Sequence, residues 1–161
     1  MIQPPEIVSA STRPAAVIRL AIPRAEIRHV MGPAISEILS TVAGQGAAVS
    51  GPMFSHHLSM PSGHFDFNVG FPITGVLTPQ GRVAAGVLPG GRAARTVYRG
   101  NYEGLPAAWG AFEAWLAAQK LSLGSDLWEV YVRGPEASAD PSAWETELFR
   151  RIDAEGLDGP K

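Results

Sequence analysis

Between Ala15 and Ile152 the chain runs twice through one succession of patterns: strand, helix, strand, strand. In the first pass, residues 15–20 and the stretch on to Val30 read as strand, closing at Gly32-Pro33. Pro33 suits the first turn of a helix, because the N–H it lacks has no partner there anyway. Ile35, Ile38, Leu39 and Val42 follow at helical spacing, and Gly44 or Gly46 would stop that helix. Residues 52–58 and 64–71 are two strand-like runs, with Pro61-Ser62-Gly63 as a hairpin turn between them. In the second pass, residues 93–99 read as strand and Pro106 marks an early helical position. Leu105, Trp109, Phe112 and Leu116 form an apolar helical stripe, and residues 128–132 and 144–152 supply two strands. The intervening residues 74–92 are rich in Gly and Pro, with room for a short strand around 83–87, and residues 153–161 read as a frayed end.

Neither pass can bury a sheet face by itself. The expected fold class is therefore α+β: two β-α-β-β modules related by a pseudo-twofold axis, helices outside, with a ligand cleft where the modules meet. The expected layout is a single domain over residues 1–161, with module 1 at about 15–73, a linker at about 74–92 and module 2 at about 93–153. That length suffices for one sizeable core.

Within the second pass, Trp128-Glu129-Val130-Tyr131-Val132 has the β-branched and aromatic content of a strand entering a core. Side chains alternate along a strand, so Glu129 and Tyr131 share one face while Trp128, Val130 and Val132 share the apolar, core-directed one. A buried carboxylate needs compensation, from a protein group or from a ligand.

Charge narrows the functional classes. The 13 Lys and Arg are scattered against 15 Asp and Glu, for a net charge of −2. Binding to nucleic acid needs a basic face or stripe, and anionic membranes need a polybasic run, so neither partner is expected. Without cysteine, disulfides, zinc–thiolate sites and thiol catalysis are excluded. The first residues carry neither a basic nor an apolar leader segment, and the longest apolar run, residues 15–22, is interrupted by Arg19. The expected location is cytoplasmic. No cofactor is expected. His56, His57 and His64 raise the question of a metal, but adjacent strand residues point to opposite faces and no fourth ligand is evident, so none is expected there.

Several segments carry a family resemblance. Leu88-Pro89-Gly90-Gly91-Arg92 leads through Tyr98-Arg99-Gly100-Asn101-Tyr102-Glu103-Gly104-Leu105 into the Trp109 helix and then Trp128-Glu129-Val130-Tyr131. With Gly51-Pro52-Met53-Phe54, Asp66-Phe67-Asn68-Val69-Gly70-Phe71-Pro72 and Thr146-Glu147-Leu148, this order resembles the GyrI-like small-molecule-binding domain, also found as the effector-binding half of AraC-type and MerR-type multidrug regulators. The resemblance implies a pocket for bulky, aromatic, often cationic compounds. It places the charge partner at Glu129 and aromatic walls at Tyr102, Tyr131 and Trp144. His57 matches the position of Tyr131 in the other pass, and Asn68 stands where many members carry an acidic residue. Some stand-alone members are hydrolases that open cyclopropane rings of DNA-alkylating natural products; that alternative would make Glu129 and Tyr131 catalytic, the carboxylate directing water and the phenol acting as acid or orienting group.

Plainer roles compete with these. Glu129 could pair with Arg99, Arg133 or Arg150, and Tyr131 could be a rim residue with its hydroxyl in water. Phe65, Phe67, Val69 and Phe71 alternate with polar residues, so they read as core beneath the first helix, leaving Asn68 on the cleft side. Trp109, Phe112 and Trp115 read as helix packing. Residues 86–91 lack the Lys-Ser/Thr ending of a phosphate loop. The reading that results is a binder of hydrophobic, cationic small molecules, for sequestration or sensing, with an enzyme or a protein-interaction module as the rival classes.

Overall fold

The structure, a computed structural model, describes residues 2–59, 64–135 and 137–152. The turn expected at Pro61-Ser62-Gly63 and the end expected to fray lie outside these residues. In chain order the elements are β1 (Glu6–Ala10), β2 (Arg13–Pro23), α1 (Ile27–Gly44), β3 (Ala48–Val49), β4 (Phe54–Ser59), β5 (His64–Thr74), β6 (Ala84–Leu88), β7 (Gly91–Arg99), α2 (Leu105–Gln119), β8 (Leu123–Arg133) and β9 (Glu145–Ile152). Short 3-10 turns at Arg24–Glu26, Tyr102–Gly104 and Pro141–Ala143 precede α1, α2 and β9. The architecture is α+β with antiparallel pairing among the described strands.

The chain forms two compact units, residues 11–89 and residues 1–10 with 90–161. In the first, β5 pairs with β4 on one side and β2 on the other, and β6 pairs with β2. Ile18 and Leu20 of β2, Phe67, Val69 and Ile73 of β5, and Ala34, Ile38 and Val42 of α1 make a single buried cluster. The alternation of Phe65, Phe67, Val69 and Phe71 thus places those rings beneath α1, as their period of two predicts.

α1 departs from expectation. It begins at Ile27, six residues ahead of Pro33, which sits inside the helix. Pro23 ends β2, and Ile27, Val30, Met31, Ala34 and Ile38 then recur at helical spacing against the same cluster. Burial of that stripe outweighs the hydrogen bond a mid-helix proline forfeits. The helix stops as expected: Gly46 takes φ +75°, a conformation that favours glycine. Gln45 then clamps the distant loop after β5, donating to Thr78 O at 2.7 Å and accepting from Thr78 N at 2.8 Å.

In the second unit β7 lies between β1 and β9, and β9 pairs with β8. β1 is an addition to the pattern read from sequence; it is held by the ladder to β7 and by Arg95 bridging Glu6 and Glu147. α2 carries Pro106 in its first turn and ends at Lys120 in the left-handed conformation. Its buried residues Ala108, Phe112 and Leu116 pack on Ala94, Tyr98, Leu148 and Ile152. A fully buried Phe112 contributes about 2–3 kcal/mol through that burial.

Two glycines check this packing. A Cβ on Gly70 would lie 2.5 Å from the Ala16 carbonyl oxygen and 2.7 Å from Val17 Cγ1, whereas one on Gly110 in α2 meets open space. In urea unfolding, Gly70→Ala is expected to cost about 2–3 kcal/mol by overpacking. Gly110→Ala should add about 0.5–1 kcal/mol by helix propensity. The reverse order would contradict the β2–β5 register.

Candidate functional site

Glu129 lies in β8 opposite Leu148 of β9, so its side chain is on the α2 face of the second unit's sheet. It is 8% exposed. Trp109, in the first turns of α2, donates its indole Nε1–H to Glu129 Oε2 at 2.6 Å. Tyr131 donates its hydroxyl to Glu129 Oε1, also at 2.6 Å. Two short bonds to a carboxylate contribute on the order of 1.5–3 kcal/mol each, enough to offset much of the desolvation the burial imposes.

The three arginines weighed as partners are engaged elsewhere: Arg99 with Glu145 at 2.7 Å, Arg133 with Glu145 at 4.0 Å and Arg150 with Glu113 at 2.8 Å. Tyr131 is likewise no simple rim residue. Trp109 corrects the reading of it as packing alone. Its ring does lie tilted against Phe112, at 5.5 Å between ring centres, but its polar edge also holds the carboxylate. Nothing in the spacing of Leu105, Trp109, Phe112 and Leu116 signals that role. The nearest hint is that a tryptophan in a buried stripe must find an acceptor for its N–H.

Both faces of β8 are buried at this point. Trp128 stacks on Phe149 at 5.2 Å with Arg151 over its ring, on the face opposite Glu129, and Val130 is buried beside it. Val132, read as core, is 39% exposed at the strand's end. A bulge explains the change: the register slips between Val130 and Arg133, so Tyr131 and Val132 together stand opposite Thr146.

Beside the carboxylate the rings gather. Tyr102 meets Tyr131 edge-on, 5.8 Å between centres and 76° between planes, and lies tilted against Trp144 at 5.1 Å. Trp144 is held from its other end by its Nε1–H donating to Ser138 O at 2.9 Å. Glu129, Tyr131, Tyr102, Trp144 and the unforeseen Trp109 therefore form one continuous constellation within the second unit.

His57 and Asn68 belong to the first unit. His57 stands opposite Phe67 on the α1 face, stacked on it at 4.9 Å and edge-on to Phe65 at 5.5 Å. Asn68 stands opposite His56 and Arg19, on the other face. A wall built on one face of this sheet takes one of the two and not both. His56 and His57 diverge as alternation requires, and no group of three or more potential metal-binding side chains occurs among the described residues.

The sequence matches the family model of the GyrI-like small molecule binding domain over residues 3–153, and the chain belongs to that family. Among solved structures it resembles the C-terminal domain of EcmrR, with TM-score 0.81, 15% identity, and coverage of 93% of this chain and 97% of that one. It spans 57% of the longer EcmrR chain seen in a complex with DNA. It also resembles SAV2435 bound to tetraphenylphosphonium (TM-score 0.59, 10% identity, 98% of each chain) and a hydrolase from Listeria innocua (0.66, 9%, 92% and 91%). At these identities the likeness establishes the fold. No curated protein matches the chain significantly. No helix among the described residues is long and apolar enough to cross a membrane.

One further group shares the site's face. Thr146, fully buried, stands opposite Tyr98, and its hydroxyl makes no hydrogen bond among the described residues. Thr146→Val keeps the shape and removes the stranded hydroxyl, so the protein is expected to gain about 1 kcal/mol in chemical denaturation. A loss of similar size would show that the hydroxyl has a partner.

Proposed function

We propose that this protein binds hydrophobic, cationic aromatic molecules at the Glu129 constellation, for sequestration or for sensing. The observation that carries the reading is the pair of 2.6 Å bonds from Trp109 and Tyr131, which fix a buried carboxyl group beside the Tyr102–Tyr131–Trp144 rings. Rings supply stacking area with few rotatable bonds, and a cation over a ring face gains about 0.5–2 kcal/mol. The carboxylate attracts a cation more strongly in such surroundings than in water, because the local dielectric is low. Membership of a small-molecule-binding family supports this reading, as does the similarity to a protein bound to tetraphenylphosphonium. A cytoplasmic setting with no cofactor fits the same role.

The Tyr131–Glu129 hydrogen bond also favours a second reading, a hydrolase that opens an electrophilic cyclopropane ring. Glu129 would take a proton from water as the water oxygen bonds to a ring carbon and the ring C–C bond breaks. The released electron pair would settle on a conjugated oxygen, which Tyr131 would protonate, recovering its proton from Glu129 through their hydrogen bond. Each Glu129 oxygen already accepts a donor, one from Trp109 and one from Tyr131, so binding without turnover is the preferred account.

Fluorescence titration with a rhodamine dye or tetraphenylphosphonium is expected to show binding that Glu129→Gln weakens by about 1–3 kcal/mol. Affinity indifferent to that change removes the charge-partner role. Incubation with a cyclopropane-bearing alkylator is expected to return the compound unchanged; a ring-opened product lost in Glu129→Gln would establish the second reading instead.

A further inference from the structure

Tyr102 owes its place to a residue outside the ring cluster. Tyr98, the last residue but one of β7, lies on the α2 face, 7% exposed, and its hydroxyl donates to Asn101 O at 2.8 Å. The turn above it is closed by Gly104 N donating to Asn101, at 3.2 Å to both its backbone oxygen and its Oδ1. Two glycines flank the phenol. Gly100 adopts φ +139°, and a Cβ there would sit 2.7 Å from the Tyr98 hydroxyl. A Cβ on Gly104 would overlap that hydroxyl and lie 3.0 Å from Cζ. The backbone therefore closes onto the tip of Tyr98 from both sides, and the first residue of the turn it supports is Tyr102.

We infer that Tyr98 is a positioning residue. Its hydroxyl sets the height of the 101–104 turn, and so the orientation in which Tyr102 meets Tyr131 and Trp144. The spacing of Tyr98, Gly100 and Gly104 is what permits the contact: glycine where the phenol's tip presses on the backbone, a large ring immediately after the hydrogen-bonded carbonyl. The consequence for ligands, an aromatic face preformed before binding, rests on the proposed function. The turn lock itself does not.

Hydrogen exchange on the full chain separates the two. In Tyr98→Phe, the Gly104 amide, which closes the turn on Asn101, is expected to exchange about tenfold faster, the effect of losing one hydrogen bond, while those of Phe112 and Leu148 keep their protection. Unchanged exchange at Gly104 overturns the inference, and so does equal loosening at Phe112 and Leu148, which would make Tyr98 ordinary core. Gly104→Ala is expected to speed exchange at the turn by a smaller factor in the Tyr98→Phe background than in the parent, because the overlapped hydroxyl is gone. Equal factors would overturn the lock. Tetraphenylphosphonium affinity is expected to fall about fivefold in Tyr98→Phe. If exchange changes as predicted but affinity does not, preformation of the ligand face is refuted. If the parent binds no tetraphenylphosphonium, the proposed function fails while exchange still decides the lock.

Discussion

A carboxylate removed from water must be met by donors, and in this protein the two donors to Glu129 come from different levels of structure. Tyr131 follows from strand alternation alone, since residues two apart share a face. Trp109 belongs to α2 and reaches the sheet only because Phe112 and Leu116 seat that helix on Ala94, Leu148 and Ile152. The apolar stripe therefore fixes the helix, and the helix fixes the carboxylate. Tyr131 inherits that placement through its own hydrogen bond, and Tyr102 packs between it and Trp144.

What could be read in advance divides along the same line. Periodicity located seven of the strands and both helices, because alternation and the 3.6-residue stripe are local consequences of one-sided burial. It misjudged the start of α1, where Pro33 looks like a first-turn residue until Ile27, Val30 and Met31 are seen to continue the buried stripe upstream of it. It passed over β1, a five-residue strand whose existence depends on pairing with β7. Short edge elements of this kind carry little signal of their own.

For the site, the shared face of Glu129 and Tyr131 was legible from residues alone. The aromatic positions came from resemblance to a family, and the structure brings Tyr102, Tyr131 and Trp144 together. Trp109 was not legible, since sequence does not show which strand a helical indole will cross. The bulge opposite Thr146 was not legible either, although it explains why Val132 leaves the core. In the first unit, alternation correctly separates His57 from Asn68, and it argues against treating them as one wall.

The Trp109 indole proton reports on the central interaction directly. In a proton–nitrogen NMR spectrum, assigned by its disappearance in Trp109→Phe, that proton should resonate well downfield of a solvent-exposed indole and move when tetraphenylphosphonium is added. A resonance at the exposed position, indifferent to the cation, would mean that the indole and the carboxylate do not hold one another and that no charged receptor site is built there.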